Sequence, residues 1–174
     1  MREELVPGIV RGEIYFSIGM SEPDSGSDLA SIRSTAKKVD GGYLVNGTKV
    51  WTSQAHNNHY FIVLVRTTPA AESQGRHNGM SQFVLDLRSP AWRSAPSGCC
   101  RATTTSTRVV MNDVFVPDHM LLGTEGNGWA QVIGELAYEF GPGAHPVHLP
   151  AARLAGRRRG PEPRPRPPPR SACW

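Results

Sequence analysis

The run HYFIVLVRT, residues 59–67, constrains the fold more than any other stretch of the chain. Every residue from Phe61 to Val65 is apolar, so neither face of an extended segment can meet water. A strand of this kind is packed on both sides and sits in the middle of its sheet. The neighbours it needs are visible nearby. EIYFSIGM (13–20) is rich in β-branched and aromatic residues. HNGMSQFVLDLRS (77–89) alternates Phe83, Leu85 and Leu87 toward one face, and RVVMNDVFVP (108–117) is a further strand that Pro117 stops.

Between them, STAKKVDGGYLVNGTKVWTS (34–53) reads as a meander. Asp40-Gly41-Gly42 and Asn46-Gly47 both suit tight turns, because Gly and Asn tolerate positive φ. The opening MREELVPGIVRGE reads as the end of a helix closed by Gly12. The period changes after residue 126: Trp129, Val132, Ile133, Leu136 and Phe140 recur at helical spacing and mark one amphipathic helix. Strands first and one late helix imply a mainly β domain leading into a helical one.

Charge is divided unevenly. Residues 151–174 hold seven Arg and one Glu, whereas residues 1–150 hold 12 Lys+Arg against 14 Asp+Glu, a net −2. The body is mildly acidic, so the basic balance of the whole chain does not imply nucleic-acid binding by the body. No apolar run approaches a membrane span, and the first residues lack a signal-peptide core, which makes the cytoplasm the default expectation. The three Cys, including the pair Cys99–Cys100, form neither a zinc spacing nor a disulfide framework.

The segment SEPDSGSDLAS (21–31) crowds hydroxyls and glycines beyond the needs of one turn. Ser21 and Ser27 offer hydroxyl donors, and Gly26 exposes its N–H without a side chain in the way. The bland reading is a solvated loop. Trp51 has a bland reading too, as a core residue of a strand. Glu22 reads as structural, Met20 as a wall, and His56 and His59 as surface residues of a polar turn.

Three motifs in order, SEPDSGSDLAS, VNGTKVWTSQAH and NDVFVPDHMLLGTEGNGW, resemble the middle domain of acyl-CoA dehydrogenases over about residues 1–140. The resemblance implies a middle-domain-like β-barrel over 1–123, the start of a C-terminal helical domain over 124–140, and a disordered Arg/Pro-rich tail over 141–174. It implies FAD as cofactor and α,β-dehydrogenation of an acyl-CoA thioester. Ile18, Met20 and Ser21 would touch the flavin ring, and Ser27 would reach flavin or acyl-CoA. Trp51, Thr52 and Ser53 would form the second contact, the indole near the ring and the hydroxyl pair supplying donors. No catalytic residue and no metal ligand is assigned, because the family's catalytic carboxylate belongs to the C-terminal helical domain. An electron-transfer flavoprotein as electron acceptor and assembly into homo-oligomers are implied for intact members, with no membrane or nucleic-acid partner. The competing reading is a non-catalytic interaction module whose basic tail binds acidic partners.

Two segments depart from the pattern. AWRSAPSGCCRATTTSTR (91–108) has no apolar period where one or two strands belong, and its loss of strands would leave sheet edges unpaired. Back-translated and read one nucleotide upstream, it can give GVEVRPIRLLSGDHHFNE, which fits the family. FGPGAHPVHLPAARLA, read one nucleotide downstream, can give SGPERILSTFPLLA. Both segments are therefore expected to be out of frame, and the nucleotide sequence across codons 85–175 decides it.

Overall fold

A computed structural model of the chain describes residues 1–88, 92–96 and 106–140. The elements run α1 (Arg2–Val10), β1 (Phe16–Gly19), a short 3-10 turn (Leu29–Ser31), β2 (Thr35–Val39), β3 (Gly42–Ser53), β4 (Tyr60–Arg66), β5 (Met80–Asp86), β6 (Trp92–Pro96), β7 (Ser106–Pro117), a second 3-10 turn (Asp118–Met120), β8 (Leu121–Leu122) and α2 (Gly128–Phe140). Helix α1 ends as its sequence suggests, with Gly12 at φ +70°.

The doubly apolar run is indeed central. β4 pairs antiparallel with β5 along its whole length, parallel with β1, and touches β2 at the single pair Thr35–Arg66. The described ladder runs β6-β7-β3-β2-β4-β5-β8 with β1 beside β4, and it does not return on itself. The expected barrel is therefore an open, mixed sheet among the described residues. Its free ends are β6 and β8.

One core covers one face of the sheet, built from Val45, Phe61, Val63, Val65, Phe83, Leu85, Val109, Met111, Val114 and their neighbours. Phe83, Leu85 and Leu87 all join it, as their alternation requires. On the opposite face of β4, Leu64 packs with Ile32, Met80 and Val132, under Trp129 and Leu136 of α2. Burial of this kind is worth about 25 cal/mol per Å² of apolar surface, and β4 collects it from both sides. Ile133 departs from the expected stripe: it is half exposed, because the buried ridge of α2 follows 129, 132 and 136.

Two further expectations are corrected. Asn46-Gly47 is not a turn. β3 runs unbroken through it, and the sole hairpin of this stretch is at Asp40-Gly41, where Gly41 has φ +74°. Nor does the 91–108 block abolish strand pairing, since β6 pairs with β7 from Trp92–Met111 to Pro96–Thr107. Ladder bonds are made by the backbone and do not need an apolar period. The 141–174 tail lies outside the described residues.

Candidate functional site

The site begins with an irregularity in β3. Lys49 and Thr52 are both fully buried although they stand three residues apart, which a strand alternating with period two cannot achieve. A β-bulge resolves it. Lys49 pairs with Val109 and Thr52 with Thr107, so Val50 and Trp51 together oppose Arg108 alone. The extra residue puts Trp51 at φ +59° and leaves its indole 61% exposed. Left-handed backbone is costly for a bulky side chain, so the surrounding ladder must hold it there. Ser53 follows on the exposed side.

Thr52 does not do what was expected of it. Its Oγ1 donates to the Thr107 carbonyl at 2.5 Å and meets Thr107 Oγ1 at 2.9 Å, while Thr107 Oγ1 also bonds the Thr52 carbonyl at 2.9 Å. The hydroxyl is spent inside the sheet. Trp51 and Ser53 face outward and Thr52 inward, as neighbours in a strand must.

The end of β1 meets this bulge. Val50 N–H donates to the Ser21 carbonyl at 3.0 Å, and Ser17 Oγ donates to the Ser53 carbonyl at 2.7 Å. Asn58 Nδ2 reinforces the corner through Ser17 Oγ and the Phe16 carbonyl. Ile18, Met20, Ser21, Trp51 and Ser53 thereby line one groove of about 410 Å³. That is within the range of small-molecule pockets, about 300–1,000 Å³. Its walls are the exposed Ile18 and Trp51 side chains, and its rim carries the Ser21 and Ser53 hydroxyls.

The serine-rich loop beyond Ser21 folds on itself. Glu22 and Ser25 exchange backbone hydrogen bonds at 2.7 and 3.2 Å around Pro23-Asp24. Ser25 Oγ donates to the Asp28 carbonyl at 2.7 Å, and Asp28 accepts from Ser31 and Arg76. Ser27 is exposed on this turn and does not line the groove. His59 serves the backbone, its Nδ1 accepting from Tyr15 N–H at 3.2 Å.

Glu135 and Leu136 of α2 also line the groove. Sequence reasoning missed both. Leu136 was assigned to the apolar stripe, and the position of Glu135 beside Gln82 depends on how α2 docks on β5. Phe16, Ser17 and Val50, likewise missed, flank the motif residues directly.

Beneath the groove lies a buried ion pair. Lys49 Nζ, with no exposed surface, donates to Glu22 Oε1 at 2.8 Å and to the Met20 carbonyl at 3.0 Å. Glu22 also accepts from Arg33 N–H at 2.7 Å and Ser34 N–H at 3.0 Å. The structural reading of Glu22 holds. Burial pushes the Lys49 amine down against the pull of Glu22. Burial also works to raise the Glu22 carboxyl, but Lys49 and the two N–H donors outweigh it and leave it lowered. A carboxylate lowered on folding contributes its stability above its ordinary pKa and loses it as pH falls through the folded value.

A second, larger groove of about 1010 Å³ lies where β2 and β4 diverge, between β2 and the loop 67–79. Arg33, Lys37, Lys38 and Arg76 border it. Arg66 at its base is buried and donates to the carbonyls of Ala30, Ile32, Arg76 and Asn78. No exposed aromatic wall stands there, so it lacks the face that a flat ring needs. Among the described residues no helix is long and apolar enough to cross a membrane.

The fold is thus an open mixed sheet with α2 packed on one face, and its groove lies between the end of β1 and the β3 bulge. The sequence model of the acyl-CoA dehydrogenase middle domain matches residues 17–114. The chain belongs to the acyl-CoA dehydrogenase family. It is 39% identical over 137 residues to acyl-CoA dehydrogenase FadE34 of Mycobacterium tuberculosis, covering 79% of this chain and 19% of that protein. It is 36% identical over 138 residues to FadE29 of the same organism, covering 79% and 35%. Among solved structures, an acyl-CoA dehydrogenase from Geobacillus kaustophilus superposes with a TM-score of 0.74 at 29% identity, covering 79% of this chain and 36% of that one. The FAD complex of PigA superposes with a TM-score of 0.70 at 28% identity, covering 79% and 36%. The chain thus spans between a fifth and just over a third of these relatives.

Proposed function

We propose that the groove between β1 and the β3 bulge receives the isoalloxazine ring of FAD, and that the chain is the flavin-facing part of an acyl-CoA dehydrogenase. The observation that carries this is the Trp51 bulge. It spends backbone strain to place an aromatic face beside Ile18 and between two serine hydroxyls. A planar, largely apolar ring with polar edges fits that donor set: apolar walls for its faces, hydroxyls for its carbonyl and nitrogen edge. Bound there, FAD supplies the acceptor for the two electrons withdrawn when an acyl-CoA thioester is desaturated between its α and β carbons.

The chain's own residues orient and shield. Ile18, Met20 and Trp51 exclude water from the ring, while Ser21 and Ser53 present donors that strengthen as its edge gains electron density. Ser27, on the adjacent turn, is left to the acyl-CoA side of the same proposal. No described residue is assigned to proton abstraction, so the chain by itself is expected to lack dehydrogenase activity; with its flavin contacts confined to one open groove, weak flavin binding is expected as well. Transfer to an electron-transfer flavoprotein and assembly with further copies belong to the intact protein under this reading. One structural neighbour is itself described as a complex, ChsE4-ChsE5 of Mycobacterium tuberculosis.

The test is a titration of the ¹⁵N-labelled chain with FAD, followed by amide and indole chemical shifts. Perturbations should cluster at residues 16–21 and 50–53 and at the Trp51 indole. Shifts confined to the basic groove between β2 and loop 67–79, or none at all, would overturn the assignment.

A further inference from the structure

Lys49 is the largest fully buried side chain among the described residues, and a role in the chemistry of the groove does not require its charge. Its placement suggests another purpose. It stands two residues before Trp51 on β3 and reaches across to the Met20–Ser21 corner, so it spans the two halves of the groove. The Met20 carbonyl is held toward β3 by Lys49 Nζ at 3.0 Å, and the Ser21 carbonyl by Val50 N–H at 3.0 Å. In a trans peptide the C=O and N–H of one unit point in opposite directions. Fixing the Met20 carbonyl inward therefore turns the Ser21 N–H away from β3. That N–H has no acceptor among the described residues, and Ser21 lines the groove.

We propose that Lys49 is a positioning residue: its ammonium clamps the Met20 carbonyl so that the Ser21 N–H is presented to the groove as a donor for the ligand's polar edge. This rests on the ring-site reading above. Glu22 has a separate task. It neutralises the buried ammonium and ties the corner to Arg33 and Ser34 through their N–H groups. A buried pair is a poor device for stability alone, since two well-packed neutral side chains of similar size serve as well or better. What apolar side chains cannot do is donate to the Met20 carbonyl, which Lys49 Nζ holds at 3.0 Å from the neighbouring strand.

The two roles separate in a mutant cycle on the whole 174-residue chain. Lys49→Met leaves Glu22 buried and unpaired, and Glu22→Gln leaves the ammonium without its counter-ion, so both lower the urea midpoint. The double variant Lys49→Met/Glu22→Gln buries no charge and recovers most of that midpoint. FAD affinity, read from the chemical-shift titration, follows a different order. It stays within about threefold of the parent in Glu22→Gln, where the clamp survives, and falls about tenfold in the double variant, where it does not. The Ser21 amide, read without any ligand, shifts in both variants that lack Lys49.

A double variant that binds FAD as the parent does, with an unmoved Ser21 amide, would falsify the clamp. So would affinity that merely tracks the urea midpoint through all three variants. If the parent chain shows no FAD shifts at all, the ring-site reading fails by itself. The ligand-free Ser21 amide then decides the clamp: displaced in the double variant it stands, unchanged it falls.

Discussion

The ladder between β3 and β7 contains two bulges, and they have opposite characters. At the first, Asn46 opposes Asn112 and Asp113. The side chains close the irregularity: Asn46 Nδ2 donates to Asp113 Oδ1 at 2.8 Å, and Asp113 N–H donates to Asn46 Oδ1 at 2.8 Å. Asp113 sits at φ +49°, a conformation that Asp tolerates. At the second, Val50 and Trp51 oppose Arg108; the Thr52–Thr107 hydroxyl pair bonds only on its buried side, and Trp51 itself is left outside. The left-handed position is given to a tryptophan, a bulky residue poorly suited to it, and the residue is 61% exposed. One bulge satisfies itself and bends the sheet. The other leaves an aromatic face and an exposed serine on the surface, which is sensible only if something else covers them.

The largest effect is expected at the first bulge. Gly47 has φ +144°, and a Cβ there would lie 2.1 Å from Ser34 Oγ and 2.8 Å from Ser34 Cα. The hydroxyl can rotate aside but the backbone cannot. Gly47→Ala should cost about 3 kcal/mol, from backbone strain and overpacking together. Urea unfolding measures it, and a loss below about 1 kcal/mol would show that the bulge is softer than its sealed geometry implies. The FAD-induced shifts at the second bulge should survive, because no residue of the first bulge lines the groove.

What the sequence made legible follows from this contrast. An unbroken apolar run located β4 and an alternating one located β5, because burial on two faces or on one writes itself into the sequence. Of the residues the resemblance singles out, Ile18, Met20, Ser21, Trp51 and Ser53 line one groove. Bulges are silent in such patterns, since one inserted residue changes no composition and shifts the period only locally. Asn46-Gly47 looked like a turn for this reason: the same tolerance of positive φ serves a turn and a bulge. Thr52 is expected as a donor only through the family resemblance, and a strand sends Thr52 and its neighbours to opposite faces. Ser27 was drawn in by the composition of its loop, whose hydroxyls serve the loop itself. Strand β6 was missed because an edge strand pairs through its backbone. Glu135 depends on tertiary docking that no local pattern encodes.

A middle-sized effect tests the strain at the second bulge. Two replacements of Trp51 remove the ring equally but differ in backbone tolerance. Trp51→Gly should be about 1 kcal/mol more stable than Trp51→Ala, the reverse of the order expected in a regular strand, because only glycine adopts φ +59° freely. Both should lose the FAD-induced shifts at residues 16–21. If alanine proves as stable as glycine, the left-handed backbone at Trp51 is not strained, and the case for a site held at a cost weakens.

The smallest effect returns to the sealed bulge. Asp113→Asn keeps a residue that accepts left-handed backbone, and its amide oxygen can still accept from Asn46 Nδ2. The Asp113 N–H bond to Asn46 Oδ1 does not involve the replaced group. The pair is exposed, so losing the charge changes little. Stability should therefore move by less than about 0.5 kcal/mol, and FAD-induced shifts should match those of the parent. A loss of 1 kcal/mol or more, read from urea unfolding, would mean that the carboxylate itself holds the ladder together. The first bulge would then be as demanding as the second, and strain alone would no longer distinguish a structural irregularity from a ligand-facing one.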